Sequence, residues 1–553
     1  MKYFLIFLIL NSTFCLKAKK SPFDLSKPSF GMIGLIFVSL NRTSSGDTTP
    51  PTVTVTNLKS KGTIDAGSLI GTASDNVGVA TVEIQINNAE YAQATTLTNS
   101  TTSSGTKDWT YKIPTTTKWT YAFTNTINVR VKDTSGNTTI SALTSIQKGE
   151  NRDINGDGFV DLVISAPTYN ANQGRVYVFN GSATGISQTS AASASQIFTG
   201  TAGRNFGSSL AMMDINGDGF ADLVVCEYFN VGTNSAYYYL GSSSGFTNRI
   251  LIAQFAGSEY CTSMAVGDFN QDSFSDVAIS DVTSGGNIYI YQGNSTGLNT
   301  TPTQTIAGAS NLGLSLATGD INGDGKIDLV ARTSNNPYIN SYLSNGSTLI
   351  SSTTISSVLT SQIILGDFNG DGKADLAVGE IGFSSNTGRV FTFLSNGSTL
   401  NTTPSQTIIG ENTSYFFSRN LSAGDINQDG ITDLIAGNFD FGGANEYGKV
   451  YFFYGCLTTG ICKGSINASA ADMSISGSTT LALQFGSSTR LIDINRDGFP
   501  DLLVGGPGHN NNGSLFIFKG TASGISSSYS TYLNASLTIA GEQNASNFGL
   551  RLY

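Results

Sequence analysis

The feature that most restricts this 553-residue chain is a nine-residue phrase, Asp-x-Asn-x-Asp-x-x-x-Asp, which occurs seven times. The copies begin at Asp153, Asp214, Asp268, Asp320, Asp367, Asp425 and Asp493, at intervals of 47 to 68 residues. A period of that length marks repeated supersecondary units, each of which buries its apolar surface against its neighbours. An apolar run follows every phrase, as in Leu162-Val163-Ile164, Leu223-Val224-Val225 and Leu502-Leu503-Val504. A Gly/Asn/Ser loop and an alternating aromatic strand come next, as in Val176-Tyr177-Val178-Phe179 or Ile288-Tyr289-Ile290-Tyr291. A Gly-Ser-x-x-Gly turn then leads to a fourth strand such as Gln304-Thr305-Ile306. Four strands in each of seven units predict an all-β fold, a seven-bladed β-propeller over 151–553.

Most phrases are preceded by one more strand, such as Phe206-Gly207-Ser208-Ser209-Leu210 or Phe485-Gly486-Ser487-Ser488. The first phrase has none. Phe548-Gly549-Leu550-Arg551-Leu552 supplies the missing piece, so the strand at 548–552 is expected to complete the first blade and remove the open edges of the ring.

Carboxylates and an amide at alternate positions turn their oxygens inward when a backbone curls tightly. The sixth position is Gly in six copies, which permits positive φ. Oxygen donors in this number suit Ca²⁺, which takes about 6–8. The predicted ligands are the side chains at positions one, three, five and nine and the backbone carbonyl at seven. They are Asp153, Asn155, Asp157, Phe159 and Asp161; Asp214, Asn216, Asp218, Phe220 and Asp222; Asp268, Asn270, Asp272, Phe274 and Asp276; and Asp320, Asn322, Asp324, Lys326 and Asp328. The remaining loops offer Asp367, Asn369, Asp371, Lys373 and Asp375; Asp425, Asn427, Asp429, Ile431 and Asp433; and Asp493, Asn495, Asp497, Phe499 and Asp501. Up to seven Ca²⁺ are expected, one per blade, with the third site weakest because Ser273 replaces the glycine. The loop is not an EF-hand, since its twelfth position is apolar, as at Ile164 or Val504, and a strand follows it. The phrases hold 21 of the 39 acidic residues, and seven ions would turn a formal charge of −10 into +4.

An acidic chain with no basic cluster beyond Lys17, Lys19 and Lys20 argues against nucleic acid as a partner. A single histidine, His509, argues against histidine metal sites and Ser-His-Asp chemistry. The start reads as an export signal over 1–15: Lys2, the apolar run Tyr3–Leu10, then small polar residues up to Cys15. The run is too short to span a bilayer. Cys15 resembles the acylated cysteine of bacterial lipoproteins, although Ser12-Thr13-Phe14 departs from the usual preceding residues, so lipid anchoring stays open. Residues 16–50 read as a tether containing a second short apolar patch, Met32–Leu40. Four cysteines remain. Cys456 with Cys462 and Cys226 with Cys261 are candidate disulfides, with four thiols as the alternative.

Residues 51–148 carry short alternating runs, Thr52–Thr56, Thr81–Gln85, Trp109–Lys112 and Ile127–Val131, which predict an N-terminal β-sandwich. The motifs Pro50-Pro51-Thr52-Val53-Thr54, Ala73-Ser74-Asp75-Asn76-Val77-Gly78-Val79 and Asp133-Thr134-Ser135-Gly136-Asn137 resemble bacterial Ig-like modules, which serve mostly as spacers. Asp75 and Asp133 are read first as turn caps, with a shared cation as the alternative.

Residues 151–553 resemble the FG-GAP repeat family, the propeller of integrin α-subunit heads. The Phe-Gly strands, the Asp phrases, Ile164-Ser165-Ala166-Pro167 and Val504-Gly505-Gly506-Pro507 carry the resemblance. It implies integrin-type calcium loops on one face and partner recognition on the other. Loops on that other face hold Tyr169, Tyr228, Phe229, Tyr338, Phe383, Phe439, Phe441, Tyr447 and His509, with packing between blades as the alternative use and His509 expected in solvent. The tether and Ig-like module are more typical of bacterial surface lipoproteins. The implied role is a non-catalytic protein of the bacterial cell surface or outer membrane that binds a protein or glycan ligand. A structural subunit of an envelope complex is the alternative. A propeller-based polysaccharide lyase or phospholipase would need an acid–base group outside the metal loops, and none is evident.

Overall fold

The computed structural model describes residues 47–553, apart from 57, 59–62, 65–67, 95, 98–104, 114–124, 149–150, 229–231, 257–258, 273, 284, 309–310, 337, 357–361, 414–415, 443–444, 479 and 543–546. The expected export signal, Cys15, most of the tether, Phe229 and Ser273 lie outside the described residues.

Residues 52–148 form two sheets around one core. One runs Thr52–Val55, Ser68–Asp75, Gly105–Lys112, Thr96–Leu97; the other runs Thr63–Ile64, Thr138–Lys148, Asn125–Asp133, Val79–Ile86, Ala92–Gln93. Asn125–Asp133 alternates strictly between buried and half-buried positions, so Ile127, Val129 and Val131 all point inward. They meet Val82, Ile84, Leu69 and Trp109 in one cluster. Ser68–Asp75 and Thr138–Lys148 are not among the runs read from the sequence, because Gly, Ser and Thr dilute their alternation.

Among the described residues seven larger sheets follow, six of four antiparallel strands and one to which Ile466–Asn467 adds a fifth strand parallel to Gln406–Ile409, each pairing its strands in chain order except at the closure. The second is typical: Phe206–Met213, Asp222–Glu227, Thr233–Tyr239, Ile250–Ala256. The second strand is the apolar run after the phrase. It is buried along its whole length in Leu162–Ala166, Asp222–Glu227, Asp276–Asp281, Asp375–Glu380, Asp433–Asn438 and Asp501–Gly506. Neighbouring sheets cover both of its faces, so these runs do not alternate. The third strand of the fourth sheet, Ile339–Ser344, lacks the aromatic alternation of the others and was not evident from the sequence.

Arg551–Leu552 pairs antiparallel with Leu162–Ala166, Leu552 opposite Ile164 and Arg551 opposite Ser165. The innermost strands Phe206–Met213, Tyr260–Gly267, Leu316–Gly319, Ile363–Gly366, Asn420–Gly424 and Ser488–Ile492 touch one another in that order. Arg551–Leu552 touches both the first and the last of them, which closes the circuit. The side chains follow the same circuit. Val163 and Val178 pack with Leu223 and Val225 of the next sheet, while Ile164 and Tyr177 pack with Leu503 and Leu515 of the last.

Candidate metal loops

Six phrases join the first and second strands of their sheets, and the first phrase leads into the second strand, Leu162–Ala166, of a sheet whose innermost strand is Arg551–Leu552, so all seven lie at the same end of their sheets. Positive φ at the sixth position is met by glycine, from 80° at Gly325 to 91° at Gly498. The fourth position is also left-handed, a constraint not evident from the sequence. Gly156, Gly217, Gly323 and Gly370 hold it at 68–75°, while Gln271, Gln428 and Arg496 hold it at 56–60°. Two of these strained side chains link neighbouring phrases, Gln271 donating to the Gly325 carbonyl and Gln428 to that of Gly498.

Inside the first phrase the Asp153 carboxylate accepts the N–H groups of Gly156, Asp157 and Gly158 at 2.6, 3.2 and 2.8 Å. Asn155 Oδ1 accepts from the Asp157 N–H at 2.9 Å, and Asp157 Oδ1 from Phe159 at 2.8 Å. Asp214, Asn216 and Asp218 repeat the pattern. The short polar side chains thus shape the loop by capping its own backbone.

The ninth residue ties parts of its sheet together, a role not evident from the phrase itself. Asp161 is fully buried, and its oxygens accept the N–H groups of Ile154, at the start of its phrase, and Gly181, in the turn after the aromatic strand. Asp222, Asp276, Asp328, Asp375, Asp433 and Asp501 make the same two bonds in their sheets. The Gly-Ser turn after each aromatic strand was the available signal.

Burial drives these ninth carboxyls upward: Asp161, Asp375, Asp433 and Asp501 to about 7, Asp276 to about 8, Asp328 to about 6, and Asp222 well above the usual range. The backbone N–H groups pull the other way, and repulsion from carboxylates of the same phrase adds to the rise. Asp153, Asp320, Asp367 and Asp425 are also raised, chiefly by burial, and Asp493 reaches about 6.

Local cations meet only part of this charge. Lys326 pairs with Asp324 at 2.5 Å and Lys373 with Asp371 at 3.1 Å, each within its own phrase. Arg496 of the seventh phrase senses Asp493 together with Asp153 and Asp157 of the first, and burial lowers its guanidinium to about 10.

The donor set fits calcium in kind. It is all oxygen, carries three carboxylates per loop and lacks a full complement of positive charge. Asp153 Oδ1 accepts two N–H groups, whereas Asp153 Oδ2 and Asp157 Oδ1 accept one each and keep a second lone pair. Among the described residues, one trio alone brings carboxylate oxygens within 4.8 Å of one another, and it lies in the sandwich.

At the opposite end of the sheets, loops connect the second and third strands. Here the expected aromatics are partly buried rather than free. Arg175 covers Tyr169 and Arg389 covers Phe383, each at 3.9 Å, while Arg419 lies over Phe439 and Lys449 over Phe441. His509, which the sequence places in solvent, is not free there. It is half-buried against Phe516 and Tyr532, and its Nδ1 lies 2.7 Å from Ser514 Oγ. Burial lowers its pKa. Two loops contain runs of left-handed non-glycine residues, Asn170-Ala171-Asn172 and Ser384-Ser385-Asn386. Tyr228, Tyr338 and Tyr447 are also half-buried.

The FG-GAP-like repeat model matches in five overlapping stretches, 153–225, 214–279, 271–331, 320–378 and 367–436, and the FG-GAP repeat model matches 485–518. The chain belongs to the FG-GAP-like repeat family. Among curated FG-GAP relatives, 139 residues are 37% identical to integrin alpha-7 of Rattus norvegicus, covering 23% of this chain and 12% of the integrin. A 172-residue stretch is 31% identical to integrin alpha-V of Gallus gallus, covering 28% and 16%. Integrin alpha-5 of Xenopus laevis is 32% identical over 150 residues, covering 26% and 13%. The match thus spans less than a fifth of each relative. Among solved structures, a putative 6-phosphogluconolactonase from Bacteroides uniformis aligns at a TM-score of 0.47 and 13% identity, over 71% of this chain and 98% of that one. A score this low carries no argument about activity.

Proposed function

We propose that residues 151–553 form a seven-bladed, calcium-loaded propeller, carried behind an Ig-like sandwich at 51–148. In this reading the chain is a non-catalytic, adhesion-type protein that recognises a protein or glycan ligand at a cell surface. Export through the leader at 1–15, with Cys15 as lipid anchor, is the proposed route to that surface. The closed order of inner strands and the kinship with integrin alpha chains support it. Among the described residues no helix is long and apolar enough to cross a membrane.

The observation that carries the reading is the division of the sheets into two unlike ends. At one end the same acidic phrase recurs seven times, which suits a shared structural task. At the other, connecting loops differ in length and sequence, and non-glycine residues hold left-handed conformations at Ala171, Ser384 and Ser385. Strained, variable loops on a repetitive scaffold are a common form of recognition surface. Calcium, when bound to the phrases, would supply positive charge against the buried carboxylates.

The test is binding of the full chain to arrayed glycans and extracellular-matrix proteins, with calcium and again with chelator. A saturable ligand whose binding is lost on mutation of the second-to-third-strand loops is expected. A folded, calcium-loaded chain with no ligand, recovered instead at fixed stoichiometry with envelope partners, would replace recognition with a structural role.

A further inference from the structure

Asp47, Asp75 and Asp133 come from three separate parts of the N-terminal sandwich. Asp75 ends the strand Ser68–Asp75, Asp133 ends Asn125–Asp133, and Asp47 precedes the first strand, Thr52–Val55. One carboxylate oxygen from each lies within 4.8 Å of the other two. Asp75 is 7% exposed and Asp133 3%.

Turn capping occupies one oxygen of each residue. Asp75 Oδ2 accepts the N–H groups of Val77 and Gly78, both at 2.7 Å. Asp133 Oδ1 accepts those of Ser135 and Asn137, both at 2.8 Å. Asp47 Oδ1 accepts from the Thr49 N–H at 3.0 Å and the Asn76 amide at 3.1 Å. The other oxygens are left over. Asp75 Oδ1 and Asp47 Oδ2 are buried with no hydrogen-bond partner. Asp133 Oδ2 meets only the Asn137 amide, at 2.7 Å. Among the described residues, none of the three takes part in an ion pair. Three carboxylates this close, two with an orphaned buried oxygen, repel one another and forgo solvation with nothing in return.

We infer that the trio is a binding site for a divalent cation, calcium by its all-oxygen chemistry, separate from the Asp phrases. Asp47 Oδ2, Asp75 Oδ1 and Asp133 Oδ2 are its carboxylate donors. The backbone carbonyls of Asp47 and Thr49 stand close by, at 2.8 and 3.4 Å from the Asn137 amide nitrogen. The ion ties the segment that begins at Asp47 to two turns of the sandwich. The site is independent of whether the phrases are loaded.

The test counts calcium bound per full-length chain after equilibrium dialysis, in wild type and in Asp75→Asn. The asparagine retains an oxygen to cap the Val77 turn while removing the charge. One ion fewer is expected, whether the wild-type total reflects loaded phrases or this site alone. Asp47→Asn, which leaves both turn caps untouched, should show the same loss and keeps the test valid where Asp75→Asn does not fold. Hydrogen exchange in the peptide around Thr49 should slow with calcium in wild type and not in either variant. An unchanged ion count in a folded variant, or exchange around Thr49 indifferent to calcium in wild type, overturns the site.

Discussion

Val163 and Tyr553 exchange two backbone hydrogen bonds, 2.6 Å from the Val163 N–H to the Tyr553 carbonyl and 2.9 Å from the Tyr553 N–H back to Val163. They extend the ladder that Leu552 and Ile164 begin. The last residues of the chain thereby become the innermost strand of its first sheet. Phe548 belongs to the same closure: it is fully buried and meets Tyr177 edge-on at 5.3 Å.

Removing 548–553 should therefore destabilise the ring far more than the loss of six ordinary terminal residues. Phe548→Ala alone should cost about 3–5 kcal/mol, the usual range for truncating a buried phenylalanine. Denaturant unfolding checks both. A truncated chain that unfolds at the wild-type midpoint would show that the ring does not depend on this strand.

The two uses of aspartate in a phrase should separate by mutation. Asp161→Asn replaces a buried acceptor that holds two N–H groups, so it should cost about 1–3 kcal/mol even in chelator. Asp157→Asn sits at an exposed bend, and in chelator it should leave stability almost unchanged. With calcium the order of effect on metal affinity should favour Asp157. Unfolding curves of both variants, with and without calcium, distinguish the roles.

Stability of the metal-stripped chain should fall with rising pH. Asp161, Asp276, Asp328, Asp375, Asp433 and Asp501 lie at about 6 to 8 when folded, and Asp222 is raised as well, against an ordinary value near 3.9 when unfolded. A raised folded pKa means that the native state holds its proton more tightly. Its relative stability is full below the unfolded value and is lost as pH climbs through the folded one. The loss should thus develop between about pH 4 and 8, and calcium should flatten it. Melting temperatures across that range, in chelator and in calcium, measure the effect.

Cys226 and Cys261 form a disulfide with Cα atoms 5.7 Å apart, joining the second and third sheets, while Cys456 and Cys462 remain thiols. Replacing the bonded pair with alanines should cost about 2–4 kcal/mol. Reductant should lower the melting temperature of the wild type and leave the double variant unaffected.

The repeat made the sheets readable in the sequence, because a phrase, an apolar run and an aromatic strand recur in fixed order. The closing strand was readable for the same reason: Phe548-Gly549 is a first strand without its phrase. What stayed hidden depends on contacts between distant residues. Nothing at Asp161 announces that its oxygens reach both Ile154 and Gly181. The left-handed fourth position was masked by Gln271, Gln428 and Arg496, which stand where glycine is easiest. His509 lies in a polar loop, yet Phe516 and Tyr532 bury half of it. Asp47 falls in a stretch that reads as tether, so its meeting with Asp75 and Asp133 appears only in three dimensions.

The most direct measurement is a calcium titration of the metal-stripped chain, with melting temperature recorded at each step. Seven ions taken up by the phrases, and a melting temperature that climbs as they fill, is the expected result. A melting curve unchanged between verified metal-free and calcium-saturated protein would contradict the reading of the phrases as structural calcium loops.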